Sequence, residues 1–432
     1  MHDTTNYTKF LIQQGTVLER CSNFMMLIKI YYYYILHSSN CSTILSLISF
    51  KISMTLVKSV IWSGIVDIEL LKITLEKSFN EVKVNQYKEE DTSVFIIVKD
   101  AISEIDDFSY KIINESKVLF YYKSTEVGGI NGQNILTNKR EGSLIARDKM
   151  KTEKYLSDAG IKTTQSMRFN LNQIQDAEKE MANRRSPFVL KPYNLSSGRG
   201  VSLNVDFNNL SKSWKKSVDA YGDDYKEASL ILQPQLPGIE ARFLVVNGKF
   251  SSAILRAPAN VVGDGKSSIE DLIRDKNYLR RKNPHLKKFM IHIDEELTDK
   301  LAEDNLELST ILPPYKLVFF TNVSNIALGG DTLEISHLVS GDMKKLAEEA
   351  IKSIPDLKSG GVDIMFSSFE DSEATVLEIN HAANLIMHYY PWKGHPGQPI
   401  HDYVNDLYDE VHNQNTFGKR IVRNLRKVFN KK

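Results

Sequence analysis

Two short apolar runs, Gly361-Val362-Asp363-Ile364-Met365 and Val376-Leu377-Glu378-Ile379-Asn380, constrain the fold more tightly than any other part of the chain. Both are apolar and β-branched enough to be strands. Side chains two apart on a strand share a face, so Glu378 and Asn380 point the same way. With the polar stretch 367–374 as a hairpin loop, symmetric pairing about its middle sets Asp363 opposite Glu378. Two carboxylates and an amide oxygen then converge, a set of hard donors suited to Mg²⁺ in contact with phosphate and water. An ordinary hairpin with solvated polar residues carries the same pattern, so the trio needs support from elsewhere in the chain.

At 432 residues the chain is long enough for two or three domains with substantial cores. Lys+Arg 55 against Asp+Glu 54 leaves a net charge of +1, so no overall field favours nucleic acid and none is expected as a partner. The only cysteines, Cys21 and Cys41, leave the rest of the chain without thiol chemistry or a disulfide framework, which fits a reducing, cytoplasmic setting. Residues 1–53 differ in character from the remainder of the chain. Phe24 to Leu36 and Ile44 to Phe50 are apolar, but neither reaches the roughly 18–20 residues of a spanning helix, and no signal-peptide pattern is present. A membrane-associating segment, an ordered helical extension and a spurious extension of the reading frame ahead of Met54 all remain open for this stretch, with membrane contact not favoured.

From Met54 the signals alternate: a strand at Ser59 to Val66, a helical period through Ile68, Leu71, Leu75 and Phe79, then buried strands at Val94 to Val98 and Lys117 to Tyr122. That alternation predicts a small open α/β sheet over 54–144. Gly128, Gly129 and Gly132 lack the dinucleotide spacing and read as a loop. A second domain spans 145–410. It opens on a helix from Arg147 to Ala159 with Asp148 as a cap and Gly160 as its stop. Strands follow at Pro187 to Pro192, Val201 to Val205, Leu230 to Gln233, Ala241 to Val246 and Lys249 to Leu255; 267–310 is mostly helical, and helix 341–353 leads into the hairpin. The basic tail 411–432 has Ile421, Val422, Leu425, Val428 and Phe429 on one helical face, and reads as a helix docked on its own domain or frayed at the end rather than as one that binds a membrane or a partner.

The loop Ser196-Ser197-Gly198-Arg199-Gly200 joins two strands and has the makings of a phosphate cover, because glycines let backbone N–H groups close on an anion and hydroxyls add donors. Lys191, closing the apolar run Phe188-Val189-Leu190, and Lys149 on the early helix can meet phosphate as point charges. Gly265-Lys266-Ser267 has the ending of a Walker loop, but Asn260 stands where that motif requires glycine. Arg256 closes a strand, where it suits either a carboxylate or developing anion, or a structural salt bridge. His381, His388, His395 and His401 lack the spacing of a zinc helix and read as substrate-facing or supporting groups.

In order and spacing, the Asp148-Lys149 helix with Ala159-Gly160-Ile161, FVLKPYNLSSGRGV, PGIEARFLVV, RAPANVVGDGKSSIEDLI, NIALGGDTLEIS, GGVDIM with VLEIN, and MHYYPWKGHPGQPI resemble the ATP-grasp superfamily. The likeness covers roughly residues 145–408 and is similar to cyanophycin synthetase and to the glutathione-synthetase half of the bifunctional glutathione enzyme. It implies an ATP-grasp fold, two α+β lobes with antiparallel sheets gripping ATP, behind the small α/β domain. It further implies that Lys149 and Lys191 meet the phosphates while Ser196, Ser197, Gly198 and Gly200 close over them. Backbone from Gln233 to Leu236 would take the adenine and Glu240 the ribose, with Asp363, Glu378 and Asn380 holding two Mg²⁺ ions, or Mn²⁺ in their place. The implied activity is a carboxylate–amine ligase, with Arg256 and Lys191 catalytic, acting on amino acids or short peptides through an acyl phosphate; a homo-oligomer is compatible with it.

Two departures fall near the implied substrate: Ala383-Asn384 for the family's Pro-Gly, and Ala327-Leu328-Gly329-Gly330 for Ser-Thr-Gly-Gly. Rival readings are a non-catalytic ATP-binding scaffold and a kinase that stops at a phosphorylated product. Tagged full-length protein is expected in the soluble fraction of lysed cells; recovery with membranes, abolished by deleting 1–53, would overturn that expectation.

Overall fold

In a computed structural model the described residues are 83–88, 94–103, 105–184, 187–195, 198–222, 228–321 and 323–412. All lie in one compact unit, Gly64–Lys432. The extension 1–53, the strand and helix expected between Ser59 and Phe79, loop residues Ser196 and Ser197, and the tail from 413 onward lie outside the described residues.

Helix α1 (Val94–Ser103) opens the described elements, followed by a four-stranded antiparallel meander, β1 (Phe108–Ile112), β2 (Lys117–Tyr122), β3 (Thr125–Asn131) and β4 (Asn134–Ile135). The strand expected over Val94 to Val98 is therefore a helix. Its buried residues, Ile97, Val98, Ala101 and Ile102, recur at helical spacing, and packing on that stripe overrides the β-preference of the run. Gly128 and Gly129, read as loop, are inside β3 instead. They are needed for close approach: a Cβ on Gly128 would lie 2.5 Å from the Tyr403 hydroxyl and 2.8 Å from Leu407. Tyr403 and Leu407 belong to the helical stretch 399–412, which shares one core with α1 and the meander.

Two short helices, α2 (Arg140–Arg147) and α3 (Lys149–Asp158), lead into the first lobe. Asp148 caps α3 by accepting from the Lys151 N–H at 3.0 Å, and Gly160 follows at φ 77°, as the sequence predicts. In the first lobe, β5 (Met167–Asn170), α4 (Ile174–Ala182), β6 (Phe188–Pro192), β7 (Ser202–Val205), α5 (Leu210–Asp219) and β8 (Ser229–Pro234) form an antiparallel sheet ordered β5-β8-β6-β7. Its helices close an aromatic-rich core around Phe188 and Trp214.

The chain crosses to the second lobe between Pro234 and Ile239. There β9 (Ile239–Val246), β10 (Lys249–Ala257), β13 (Asp331–Glu334), β14 (Gly360–Phe366) and β15 (Thr375–Asn380) form an antiparallel sheet ordered β13-β10-β9-β14-β15. Between β10 and β13 lies an insertion of β11 (Asn260–Val262), α6 (Ile269–Lys282), α7 (Glu295–Glu303) and β12 (Leu317–Phe319) with a small core of its own. Helix α8 (Gly341–Ser353), capped by Ser340, buries Met343, Ala347, Ala350 and Ile351 against one face of the sheet; α9 (Leu385–Tyr389) follows β15.

Alternation decides what the other face carries. Ala241, Phe243, Val245, Ala253, Leu255, Val362 and Ile364 enter the core beneath α8, so Glu240, Arg242, Arg256, Asp363, Glu378 and Asn380 are left on the opposite face. Among the described residues no helix is long and apolar enough to cross a membrane. Replacing Gly128 with valine should cost about 1–3 kcal/mol by overpacking. A melting temperature within a degree of the parent's would show that Tyr403 does not fill that space.

Candidate functional site

At the site the sheet adopts the register expected from the sequence, with Asp363 paired to Glu378 and Gly361 to Asn380, while past Asp363 a bulge shifts the pairing by one, so that Ile364 faces Val376. On its other side Asp363 pairs with Arg242 of β9. The Arg242 guanidinium donates from Nε to Asp363 Oδ1 at 2.5 Å and from its terminal nitrogen to Oδ2 at 2.8 Å. This close, two-point geometry is the strong form of a charged hydrogen bond. Arg256 stands 3.4 Å from the same carboxylate and also ion-pairs with Glu240. The Asn380 amide donates to Asp363 at 3.3 Å and to Glu378 at 3.2 Å. Burial opposes ionisation of Asp363, yet the two arginines prevail and hold its carboxyl down at about 2.

The small residue beside Asp363 makes this geometry attainable. A Cβ on Gly361 would lie 2.3 Å from Arg242 Cδ, so the arginine stem crosses the strand where no side chain stands.

Lys149 opens α3 and donates to the Tyr193 carbonyl at 3.2 Å. Its ammonium pKa is lowered, mainly by burial; Glu378 opposes the shift and Lys191 adds to it. The helix start, the end of β6 and the β14–β15 hairpin therefore converge. Past Lys191 the chain reaches Gly198 and Gly200, at φ 72° and 71°, a backbone that glycine adopts without strain. A Cβ on Gly198 would come 3.4 Å from the Asn325 side chain, so this loop reaches across to the turn that precedes β13. Gln233 is buried in β8, and Leu236 is half-buried in the crossing between the two sheets. The structure thus brings together Lys149, Lys191, Glu378, Asp363, Asn380, Arg256 and Glu240.

Sequence reasoning missed Arg242, although a charge two residues from Glu240 within an apolar strand is the same signal that singled out Glu378. It also missed the anchor of the insertion. Asp331, fully buried, accepts from Lys276 at 2.6 Å, Arg280 at 2.8 Å and Asn260 at 3.0 Å. Lys276 and Arg280 stand four apart on α6, a spacing that placed two cations on the helix face shared with Ile269 and Ile273. The four histidines part company. His388 is buried against Ser252 Oγ at 2.7 Å, and burial pushes its pKa down to about 3. His381 accepts from Arg147 Nε at 2.8 Å, His401 lies 3.0 Å from the Tyr389 hydroxyl, and His395 is exposed.

A divalent cation fits these residues. The Asn380 amide N–H₂ occupies the gap between the two carboxylates, and turning the amide over presents its oxygen to that gap. Each Asp363 oxygen keeps a lone pair beyond the one Arg242 uses. Among the described residues no group of three or more His, Cys, Asp or Glu side chains is placed to enclose a metal, so the remaining ligands would be phosphate and water, the usual habit of Mg²⁺.

Two lobes with antiparallel sheets, joined by a short crossing and closing on a lysine- and carboxylate-lined face, define the ATP-grasp fold. The bifunctional glutathione synthetase of Pasteurella multocida superposes with a TM-score of 0.54 at 24% identity, over 70% of this chain and 42% of that one. The chain therefore has the ATP-grasp fold. It is 28% identical to the glutathione biosynthesis bifunctional protein GshAB of Enterococcus faecalis over 278 residues, 62% of this chain and 36% of that protein. The GshAB of Streptococcus thermophilus is 26% identical over 75% of this chain and 44% of its own length. Cyanophycin synthetase of Synechocystis is 28% identical over 59% of this chain and 29% of its own. The chain thus spans less than half the length of these relatives. No protein-family model matches it.

Exchanging Arg242 for methionine removes the main partner of a buried carboxylate and should cost about 3–5 kcal/mol in urea unfolding at pH 7. Because the folded pKa of Asp363 lies below its unfolded value, the stability it lends is present above roughly pH 4. That share is lost as pH falls towards 2, the depressed folded value. The variant should therefore lose less stability than the parent across that interval; identical acid limbs would refute the pairing.

Proposed function

We propose that this chain is an ATP- and Mg²⁺-dependent carboxylate–amine ligase acting in the cytoplasm on amino acids or short peptides. The observation that carries the reading is the pairing of Asp363 with Glu378, beside Asn380 and within electrostatic reach of Lys149 and its neighbour Lys191. Homology to glutathione-synthesising proteins and cyanophycin synthetase supports it. Asp363, Glu378 and Asn380 would hold two Mg²⁺ ions, which when bound neutralise charge on the phosphates. Lys149 and Lys191 would bind the same phosphates, Ser196 to Gly200 would cover them, Gln233 to Leu236 would line the adenine, and Glu240 would take the ribose hydroxyls.

Phosphoryl transfer asks a protein mainly for positioning and charge neutralisation. The substrate carboxylate attacks the γ-phosphorus, a new O–P bond forms as the bond to ADP breaks, and an acyl phosphate results. The amine then attacks the acyl carbon, phosphate leaves with the C–O electron pair, and the amine proton is lost. Arg256 is suited to the negative charge that builds on the acyl oxygen. Its Nε is buried without a hydrogen-bond partner among the described residues, a costly arrangement unless a bound group completes it. The loop over the phosphates would keep water from the acyl phosphate.

Purified protein given ATP, Mg²⁺ and a panel of amino acids and dipeptides should release ADP and phosphate only when an acid and an amine are both present. Glu378→Gln should raise the Mg²⁺ requirement and cut turnover by about a hundredfold, and Arg256→Met should lower kcat by about 10²–10³. ATP binding without turnover would instead favour a scaffold, a stable phospho-product a kinase, and normal activity of Glu378→Gln would remove the metal assignment.

A further inference from the structure

Tyr193, at the root of the loop proposed to cover the phosphates, is held at every group it offers. It follows Pro192, the last residue of β6, and continues the ladder to β8: its N–H is shared between the Ser229 carbonyl at 2.9 Å and the Tyr221 hydroxyl at 3.1 Å. Two residues beyond Lys191, its side chain leaves the same face of the sheet as that lysine. The Arg168 guanidinium of β5 lies 3.7 Å from the centre of the ring and donates to Ser229 Oγ at 2.8 Å, so the ring is held by attraction of a cation to its face. At the tip, the hydroxyl bonds the Asp148 carboxylate. Burial first, then that bond and the Asp148 charge, push the phenol up to about 12, so it keeps its proton near neutral pH. The Tyr193 carbonyl in turn accepts from Lys149 at 3.2 Å.

Asp148 and Lys149 are successive residues at the start of α3, and Tyr193 takes one with its side chain and the other with its main chain. Because Asp148 also caps α3 through the Lys151 N–H at 3.0 Å, a carboxylate fixed by Tyr193 fixes the first turn and the stem of Lys149 with it. One tyrosine thus joins the helix start to the strand end that carries Lys191. We propose that Tyr193 is a positioning residue for the nucleotide phosphates, setting the spacing of Lys149 and Lys191 and acting through them. The inference rests on the ATP site within the ligase reading. Two ammonium groups close enough to share a polyphosphate repel each other, and their flexible stems let them part; a carbonyl anchored beneath Lys149 opposes that. Ordering both lysines ahead of the ligand lowers the cost of binding it. Since they would meet the phosphates in the ground state as in the transition state, the benefit belongs to ATP affinity rather than to kcat.

The test is calorimetric titration of the full chain with ATP in Mg²⁺ and, separately, with adenosine, for the parent, Tyr193→Phe, Asp148→Asn and the double variant. Phenylalanine keeps the ring and the carbonyl and loses only the hydroxyl; asparagine keeps the helix cap. Tyr193→Phe should weaken ATP by about three- to tenfold, part of what a hydrogen bond to a charged group is worth, and leave adenosine unmoved. In turnover it should raise the KM for ATP while kcat changes by less than about twofold. In the double variant the second substitution should add little to the first, because both break the same bond. Equal weakening of ATP and adenosine marks a merely structural role and overturns the inference; so does ATP affinity that ignores Tyr193→Phe, or effects that simply add. Each of these leaves the ligase reading intact. The expected binding pattern without turnover on any acid and amine upholds the inference and removes the ligase, whereas a parent that binds no ATP removes both.

Discussion

The ion pair between Arg242 and Asp363 is the interaction on which the proposed site depends. Both groups sit near the middle of a five-stranded sheet, on central strands, with an apolar core beneath. An isolated buried charge there would cost several kcal/mol, and mutual pairing removes most of that penalty. The pair also fixes the electrostatics around it. Asp363 stays ionised because Arg242 and Arg256 face it, and an ionised carboxylate is what a divalent cation or an incoming positive group requires. Gly361 allows the pair to form by leaving the arginine stem a path across β14.

A second buried network does comparable work at the edge of the sheet. Asp331 gathers Lys276 and Arg280 from α6 and Asn260 from β11, while Arg280 also holds the carbonyls of Phe289 and Gly330. One carboxylate at the start of β13 thereby ties α6 to the sheet and anchors the turn that touches the loop at Gly198.

Much of the second lobe was legible in the sequence because its signals are local. Helix 341–353 has a cap and a helical period, and the hairpin runs have strand composition, a polar loop between them, and polar residues two apart. The stretch from Val94 failed because a short β-branched run suits either state, and only the partners at Tyr403 and Leu407 select the helix. Gly128 and Gly129 misled for a related reason. Glycine marks a turn or a close approach with equal force, and the approaching side chain lies some 275 positions further on, Gly129 N–H to Tyr403 hydroxyl at 3.3 Å spanning 274.

By itself the sequence determined the pairing that opposes Asp363 to Glu378 and the side of the strand on which Asn380 stands, since each follows from periodicity within a short span. Tertiary structure alone decided that Arg242 and Arg256 converge on Asp363, that Asp331 is shared by three donors, and that the turn from Asn325 to Gly330 touches Gly198 at one end and Ala257 at the other. Those contacts join residues far apart in the chain, and strand order and side-chain reach, which no local pattern encodes, bring them within bonding distance.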